Sequence, residues 1–231
     1  MSPLVLVPAY QAARTITSVV TGLERVVGGS IREIVVVDDG STDDTARLAE
    51  RAGATVLRHP GNLGKGAALR TGLAHAARCG AGVVVTVDAD GQHPAEAAQV
   101  VLDHPAPGDA LVLGVRDLAR DGAPRANRTS NAISNFFVSA FTGQRLLDTQ
   151  CGLRRYPVER TLALGMRSDG YAFETEVLLR ACRAGVPIAQ VPVRVYYPPP
   201  RERVSHFHAV RDPAKIVGRV IATLVCRGGA R

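Results

Sequence analysis

Four stretches of this 231-residue chain are apolar without alternation: "LVLVPA" at 4–9, "IVVVD" at 34–38, "GVVVTV" at 82–87 and "ALVLGV" at 110–115. A strand with one face in water alternates apolar and polar residues, so runs like these belong to strands covered on both faces. Helical periodicity fills the intervals, over 13–27, 41–53, 64–80 and 94–103, with a further short strand over 54–59. Strand and helix in alternation predict an α/β chain: a Rossmann-like, mostly parallel sheet flanked by helices. Ser41 or Thr42 offers a cap for the second helix, whose first turn then holds acids that suit its dipole.

The second half is less regular. It reads as a helix over 125–142, a loop through "DTQCGLRRY" into a short strand, a helix over 172–185, an extended segment over 186–197 and a last helix over 212–227. No repeat or linker divides the chain. The expectation is one domain over residues 1–211, followed by a terminal helix over 212–231 that packs on the domain or lies on a membrane surface.

Composition narrows the partners. The net charge is +7, but only Lys65 and Lys215 are lysines, and the arginines are spread along the chain. Aromatic residues are 4% of the total, too few for base-stacking platforms, so a phosphate-bearing partner fits better than nucleic acid. Four cysteines without a CxxC pair predict reduced thiols in a cytoplasmic protein. No apolar run reaches membrane-spanning length, so the expectation is a chain that is soluble in the cytoplasm or peripheral at the inner face of the cell membrane.

In an open parallel sheet, ligands bind beyond the carboxyl ends of the strands. Here those ends carry Pro8, Ala9 and Tyr10, then Asp38 and Asp39, His59, Asp88 with Asp90, and Arg116. The first of these ends lacks the GxGxxG of a dinucleotide fold, and "GNLGKG" lacks the spacing of a phosphate-binding P-loop. The pair in "VDADGQHP" is the sharpest signal. Two carboxylates one residue apart repel, and a cation relieves that repulsion. An all-oxygen set of this kind suits Mg²⁺ or Mn²⁺ carrying a diphosphate. The competing reading is a plain Asp-Gly turn.

"VVVDDGSTDDT", "HPGNLGKGAALRTG" and "VDADGQHP", in this order, resemble family 2 glycosyltransferases of the GT-A fold. "LLDTQCGLRRY", "FETEVLLRACRAGVPIAQVPV" and "RERVSHF" resemble the polyprenol-phosphate sugar-transferase branch, the relatives of dolichol-phosphate mannose or glucose synthases. The resemblance covers about residues 4–212. It implies an inverting, metal-dependent enzyme that moves a sugar from a UDP- or GDP-sugar to a polyprenyl phosphate or related lipid. The alternatives are a hydroxyl acceptor on a glycan or metabolite, or a nucleotide-sugar binding protein without turnover. A separate membrane-anchor chain is a further partner that the branch suggests.

Carried onto this chain, the resemblance assigns the donor to Pro8, Ala9, Tyr10, Asp39, Asn62, Lys65, Asp88 and Asp90. It assigns the metal to Asp88, Asp90 and Gln92, and the acceptor phosphate to Arg116, Arg128 (or Arg125) and Ser130. Arg203, Ser205 and His206 are placed on a loop over the diphosphate. Asp148 is the candidate base for a hydroxyl acceptor; for a phosphate acceptor it orients groups or holds Arg154. Asp90, Asp148 and Arg116 form the catalytic set. Glu174 and Glu176 are expected to lie outside the pocket, with Glu176 facing solvent. Gln11, Cys151 and His206 depart from the family pattern, and His93 is expected to be a packing residue.

Overall fold

The computed structural model describes residues 2–170 and 172–197. The expectations for Arg203, Ser205, His206 and the helix over 212–227 lie outside the described residues.

The apolar runs become strands of one seven-stranded sheet: β1 (Leu4–Ala9), β2 (Ile34–Asp38), β3 (Thr55–Arg58), β4 (Val83–Thr86), β5 (Leu111–Arg116), β6 (Arg154–Pro157) and β7 (Ile188–Val193), in the order β3-β2-β1-β4-β6-β5-β7. Neighbours pair in parallel except around β6, which is antiparallel to both β4 and β5. The helices are α1 (Ile16–Val27), α2 (Thr45–Arg51), α3 (Lys65–Arg78), α4 (Ala95–Leu102), α5 (Arg125–Thr142), α6 (Val158–Ala163) and α7 (Ala172–Arg183).

Both faces of the sheet are covered, as non-alternating strands require. Leu4 and Leu6 of β1, Val35 and Val37 of β2 and Val84 of β4 point one way, into a core with Leu69 and Leu73 of α3 and Phe173 and Val177 of α7. Val5, Val7, Val36 and Val85 point the other way, against Ile16, Val20 and Leu23 of α1 and Ala98 and Val101 of α4. Each such side chain contributes about 1.5–3 kcal/mol on burial. α1 is buried along Ile16, Val19, Val20, Leu23 and Val27, the three- and four-residue steps of a single helical face.

Three features differ from the sequence expectation. α2 starts at Thr45, so Asp43 and Asp44 precede it, and neither Ser41 nor Thr42 caps it. Ser41 Oγ instead accepts from the Gln11 backbone N–H at 2.9 Å, while Asp43 Oδ1 receives the Thr45 N–H at 3.1 Å. The short α6 gives no periodic signal in six residues. The reversal of β6 has the largest consequence: Arg154 pairs with Thr86 and Leu113, near the carboxyl ends of β4 and β5, so the loop 148–153 opens onto the ligand-binding rim.

Candidate active site

The acids after β2 belong to the scaffold of the rim. Asp38 is fully buried; its Oδ1 accepts the Ser41 N–H at 3.0 Å, and its Oδ2 lies 3.2 Å from Arg58 Nε. Asp39, also buried, takes the Leu63 N–H at 2.9 Å and the Gly64 N–H at 2.7 Å, and meets His59 Nδ1 at 2.7 Å. It therefore closes the loop 59–64 onto β2. Gln11 bridges loops: its amide nitrogen donates to Thr42 Oγ1, and its Oε1 accepts from Thr42 N and Asp43 N. Pro8 and Ala9 are buried, Tyr10 is half-buried and Asn62 is exposed.

That loop delivers Lys65. Gly64 has φ +96°, a conformation natural to glycine, and a Cβ there would run into the Asp169 carbonyl. Lys65 opens α3 and reaches back over the rim, with Nζ 2.6 Å from Asp88 Oδ1 and 2.9 Å from Glu174 Oε1. Asp88 leaves β4 and lies flat against Gly152, where any side chain would collide with its carboxylate oxygens. Asp90 sits two residues on, its Oδ1 accepting the Gln92 N–H at 3.0 Å.

The electrostatics of this corner are uneven. Burial works to raise the Asp88 pKa, but the positive Lys65, with Arg116 behind it, outweighs that and holds the group below its ordinary value. Asp90 goes the other way: burial, then the negative Asp88, push it up to about 6. A divalent cation would reverse that penalty, because it rewards two ionised carboxylates where the bare pair resists a second charge. The donor chemistry, two carboxylates and the nearby Gln92 amide, fits Mg²⁺ or Mn²⁺. His93 is not a competitor. Burial pushes it down to about 4, its Nδ1 has no partner among the described residues, and its Nε2 faces Cys151 Sγ at 4.0 Å, so it packs as a neutral ring.

On the other side of Asp88 the charges are paired. Asp148 is fully buried and accepts four hydrogen bonds: from Arg116 N at 3.1 Å, Arg116 Nε at 2.7 Å, Arg116 Nη2 at 2.9 Å and Gln150 N at 3.3 Å. The expectation that Asp148 holds Arg154 is corrected here; it holds Arg116. Arg154, equally buried, donates instead to the carbonyls of Cys151, Thr149 and Glu174. Arg116 also borders a pocket of about 510 Å³ whose lining includes Arg120, Arg128, Asn131, Asn135 and Leu147. Ser130 stands behind that lining, buried and accepting from Gln150 Nε2 at 3.1 Å.

Two acids of α7 differ from expectation. Glu174 is the missed member of the site, buried beside Lys65. Its position on α7 gave no signal, because only the folded chain brings it to the start of α3. Glu176 does not face solvent: it is buried, accepts from Arg167 N, Ser168 N and Ser168 Oγ, and pairs with Arg180 Nε at 2.8 Å.

Comparison with known proteins gives the family of the chain. The family model described as glycosyl transferase family 2 matches residues 4–161. Glycosyltransferase AglJ of Haloferax volcanii is 33% identical over 210 residues, spanning 90% of this chain and 67% of that protein. A dolichyl-phosphate hexose transferase of the same organism is 31% identical over 202 residues, spanning 87% and 83%. Among solved structures, glucosyl-3-phosphoglycerate synthase from Mycobacterium tuberculosis in complex with Mn²⁺, uridine diphosphate and phosphoglyceric acid is similar with a TM-score of 0.72 and 27% identity, covering 100% of this chain and 79% of that one.

Proposed function

The chain belongs to glycosyl transferase family 2, and from that premise we propose that it moves a sugar from a nucleoside-diphosphate sugar to a phosphate group on a polyprenyl lipid. The observation that carries the choice of acceptor is the state of Asp148. A hydroxyl acceptor needs a base, and the four donors around Asp148 occupy the lone pairs that a base would use. A phosphate is already anionic near neutral pH and attacks without losing a proton. Arg116, Arg120 and Arg128 around one pocket bring positive charge to it; the forks of Arg116 and Arg120 are engaged by Asp148 and Asp121, and Arg128 is the guanidinium that would grip two oxygens of the acceptor. The names of the relatives support the same acceptor class.

On the donor side, Asp88, Asp90 and Gln92 would hold Mg²⁺ or Mn²⁺, which when bound neutralises charge on the departing diphosphate. The M. tuberculosis complex with Mn²⁺ and uridine diphosphate supports this reading. Lys65, at the start of α3, adds a positive charge to the same corner and keeps Asp88 ionised. Arg116, fixed by Asp148, orients the acceptor oxygen for in-line attack at the anomeric carbon, with inversion.

A lipid acceptor requires the pocket to meet a membrane surface. No helix among the described residues is long and apolar enough to cross one. α5, which borders the pocket, exposes Ile133, Phe136 and Phe141, with Leu147 beyond it and Arg125, Arg128 and Arg145 exposed nearby. Phe136 is 68% exposed, and this apolar strip flanked by arginines supports peripheral contact with anionic lipid.

The test is a panel of UDP- and GDP-sugars with Mg²⁺ or Mn²⁺, offered with a polyprenyl phosphate or with hydroxyl acceptors. The expected result is cation-dependent formation of a polyprenyl-phosphate sugar. Transfer to hydroxyl acceptors alone would overturn the acceptor assignment. Binding without turnover of any donor would overturn the catalytic one.

A further inference from the structure

At the far end of α3, three side chains of a different chemistry converge. His75 lies in the last turn of α3, Cys79 caps the helix four residues on, and Glu33 is the residue before β2. His75 Nε2 is 3.2 Å from Glu33 Oε1 and 3.3 Å from Cys79 Sγ, and one ligand atom from each of the three residues lies within 4.8 Å of the others. Lys65 begins the same helix ten residues before His75, so the cluster is about 15–20 Å from the donor corner.

Without an ion the cluster is a hydrogen-bonded set centred on the carboxylate, with Thr55, His75 and Cys79 all bonded to Glu33. The same three ligand atoms, with Nε2 and the sulfur unprotonated, present lone pairs to a common centre that a cation would fill. Four-coordinate zinc, with bonds of about 2.0–2.3 Å, needs donor separations of about 3.3–3.7 Å. The two separations above are already close to that. Thr55 Oγ1 donates to Glu33 Oε2 at 2.7 Å and leaves Oε1 aimed at the ring, the role an outer-shell partner plays for a liganding carboxylate. Side-chain exposures of 15% for His75 and 24% for Glu33 give an ion a route in.

We propose that Glu33, His75 and Cys79 form a zinc site with three protein ligands and a fourth position open to water or an added ligand. Thiolate and imidazole select a borderline ion of this kind over Mg²⁺ or Mn²⁺, so the site is chemically separate from the donor corner. On binding, the Cys79 thiol releases its proton to solvent and the sulfur bonds the ion, with no change of oxidation state. The bound ion ties the entrance of β2 to the last turn of α3, the helix whose first residue is Lys65.

The test uses the untagged full-length chain, titrated with Zn²⁺ against a chromophoric chelator and, separately, with Co²⁺ followed by absorption. The expected result is one tightly bound ion per chain, a thiolate-to-cobalt charge-transfer band, and proton release on binding. Cys79→Ser and His75→Asn should each weaken Zn²⁺ binding at least tenfold and abolish the band, while Asp90→Asn leaves both intact. Zn²⁺ should raise the melting temperature of the wild type but not of Cys79→Ser. Circular dichroism reports whether each variant is folded, and Mn²⁺ binding at the donor corner does so for Cys79→Ser and His75→Asn. A cobalt spectrum without a thiolate band, or Zn²⁺ affinity unchanged in folded Cys79→Ser, would overturn the site.

Discussion

Two pairs of acids stand on the same rim, one after β2 and one after β4, and their surroundings are opposite in kind. Asp38 and Asp39 are tied into the frame: Asp39 meets two backbone N–H groups and a histidine, and Asp38 takes the Ser41 N–H and stands beside Arg58, its Oδ2 making no hydrogen bond among the described residues. Asp88 and Asp90 face each other's charge instead. Asp88 is held ionised beside Lys65, and Asp90 is pushed up to about 6 by burial and by that neighbour. The first pair builds the loop that presents Lys65; the second keeps an electrostatic strain that a cation would relieve. Proximity of two carboxylates in sequence does not distinguish these cases. The charge beside each one does: Asp38 stands by Arg58, and Asp90 by the negative Asp88.

The comparison can be broken most severely at Asp90. Asp90→Asn should lower sugar transfer by about 10³-fold or more, the scale of losing electrostatic support for a leaving group, as measured by initial rates at saturating Mn²⁺. Activity within a few-fold of wild type would place Asp90 with the scaffold acids. Next is Asp148→Ala, which strands the half-buried Arg116 and should destabilise the fold by about 3 kcal/mol in a denaturant titration. Asp39→Ala leaves the Leu63 and Gly64 N–H groups without their acceptor and should cost about 2–3 kcal/mol by the same assay.

A smaller effect of opposite sign sharpens the contrast. Ionised Asp90 works against the metal-free fold, so Asp90→Asn should stabilise it at neutral pH, on the order of 1–2 kcal/mol once solvent screening in the open cleft is allowed for. The folded pKa, about 6, lies above the ordinary 3.8, so the folded form takes up its proton first as the pH falls. The advantage of the variant is therefore full above pH 6 and gone near pH 3.8. Melting curves of both proteins in chelator across that range check the sign. Last and smallest, Phe136→Ser should change stability by no more than about 0.5 kcal/mol, since the ring is largely exposed. It should still reduce flotation with anionic liposomes.

The sheet was legible because its strands are buried on both faces, and such runs leave a plain pattern: β1, β2 and the helix over 125–142 fall where periodicity places them. The rim acids were legible for a related reason, since the end of each strand is marked by the first charge after an apolar run. What periodicity cannot carry is strand direction. The reversal of β6 decides that Asp148 meets Arg116 rather than Arg154, and no local pattern in "DTQCGLRRY" encodes it. Glu174 was hidden in the same way, because its importance comes from Lys65, 109 residues away in sequence. Glu176 looked like a solvent-facing helical acid because its partners at 167–168 belong to a loop whose position only the tertiary fold sets.

Calorimetric titration of UDP and of GDP into the protein, with Mn²⁺ or with chelator, tests the central claim most directly when run on wild type and Asp90→Asn side by side. The account predicts that one nucleotide binds wild type at least tenfold more tightly with Mn²⁺ than without, and that the difference vanishes in the variant. Equal affinity with and without Mn²⁺ in wild type, or an undiminished Mn²⁺ effect in Asp90→Asn, would contradict it.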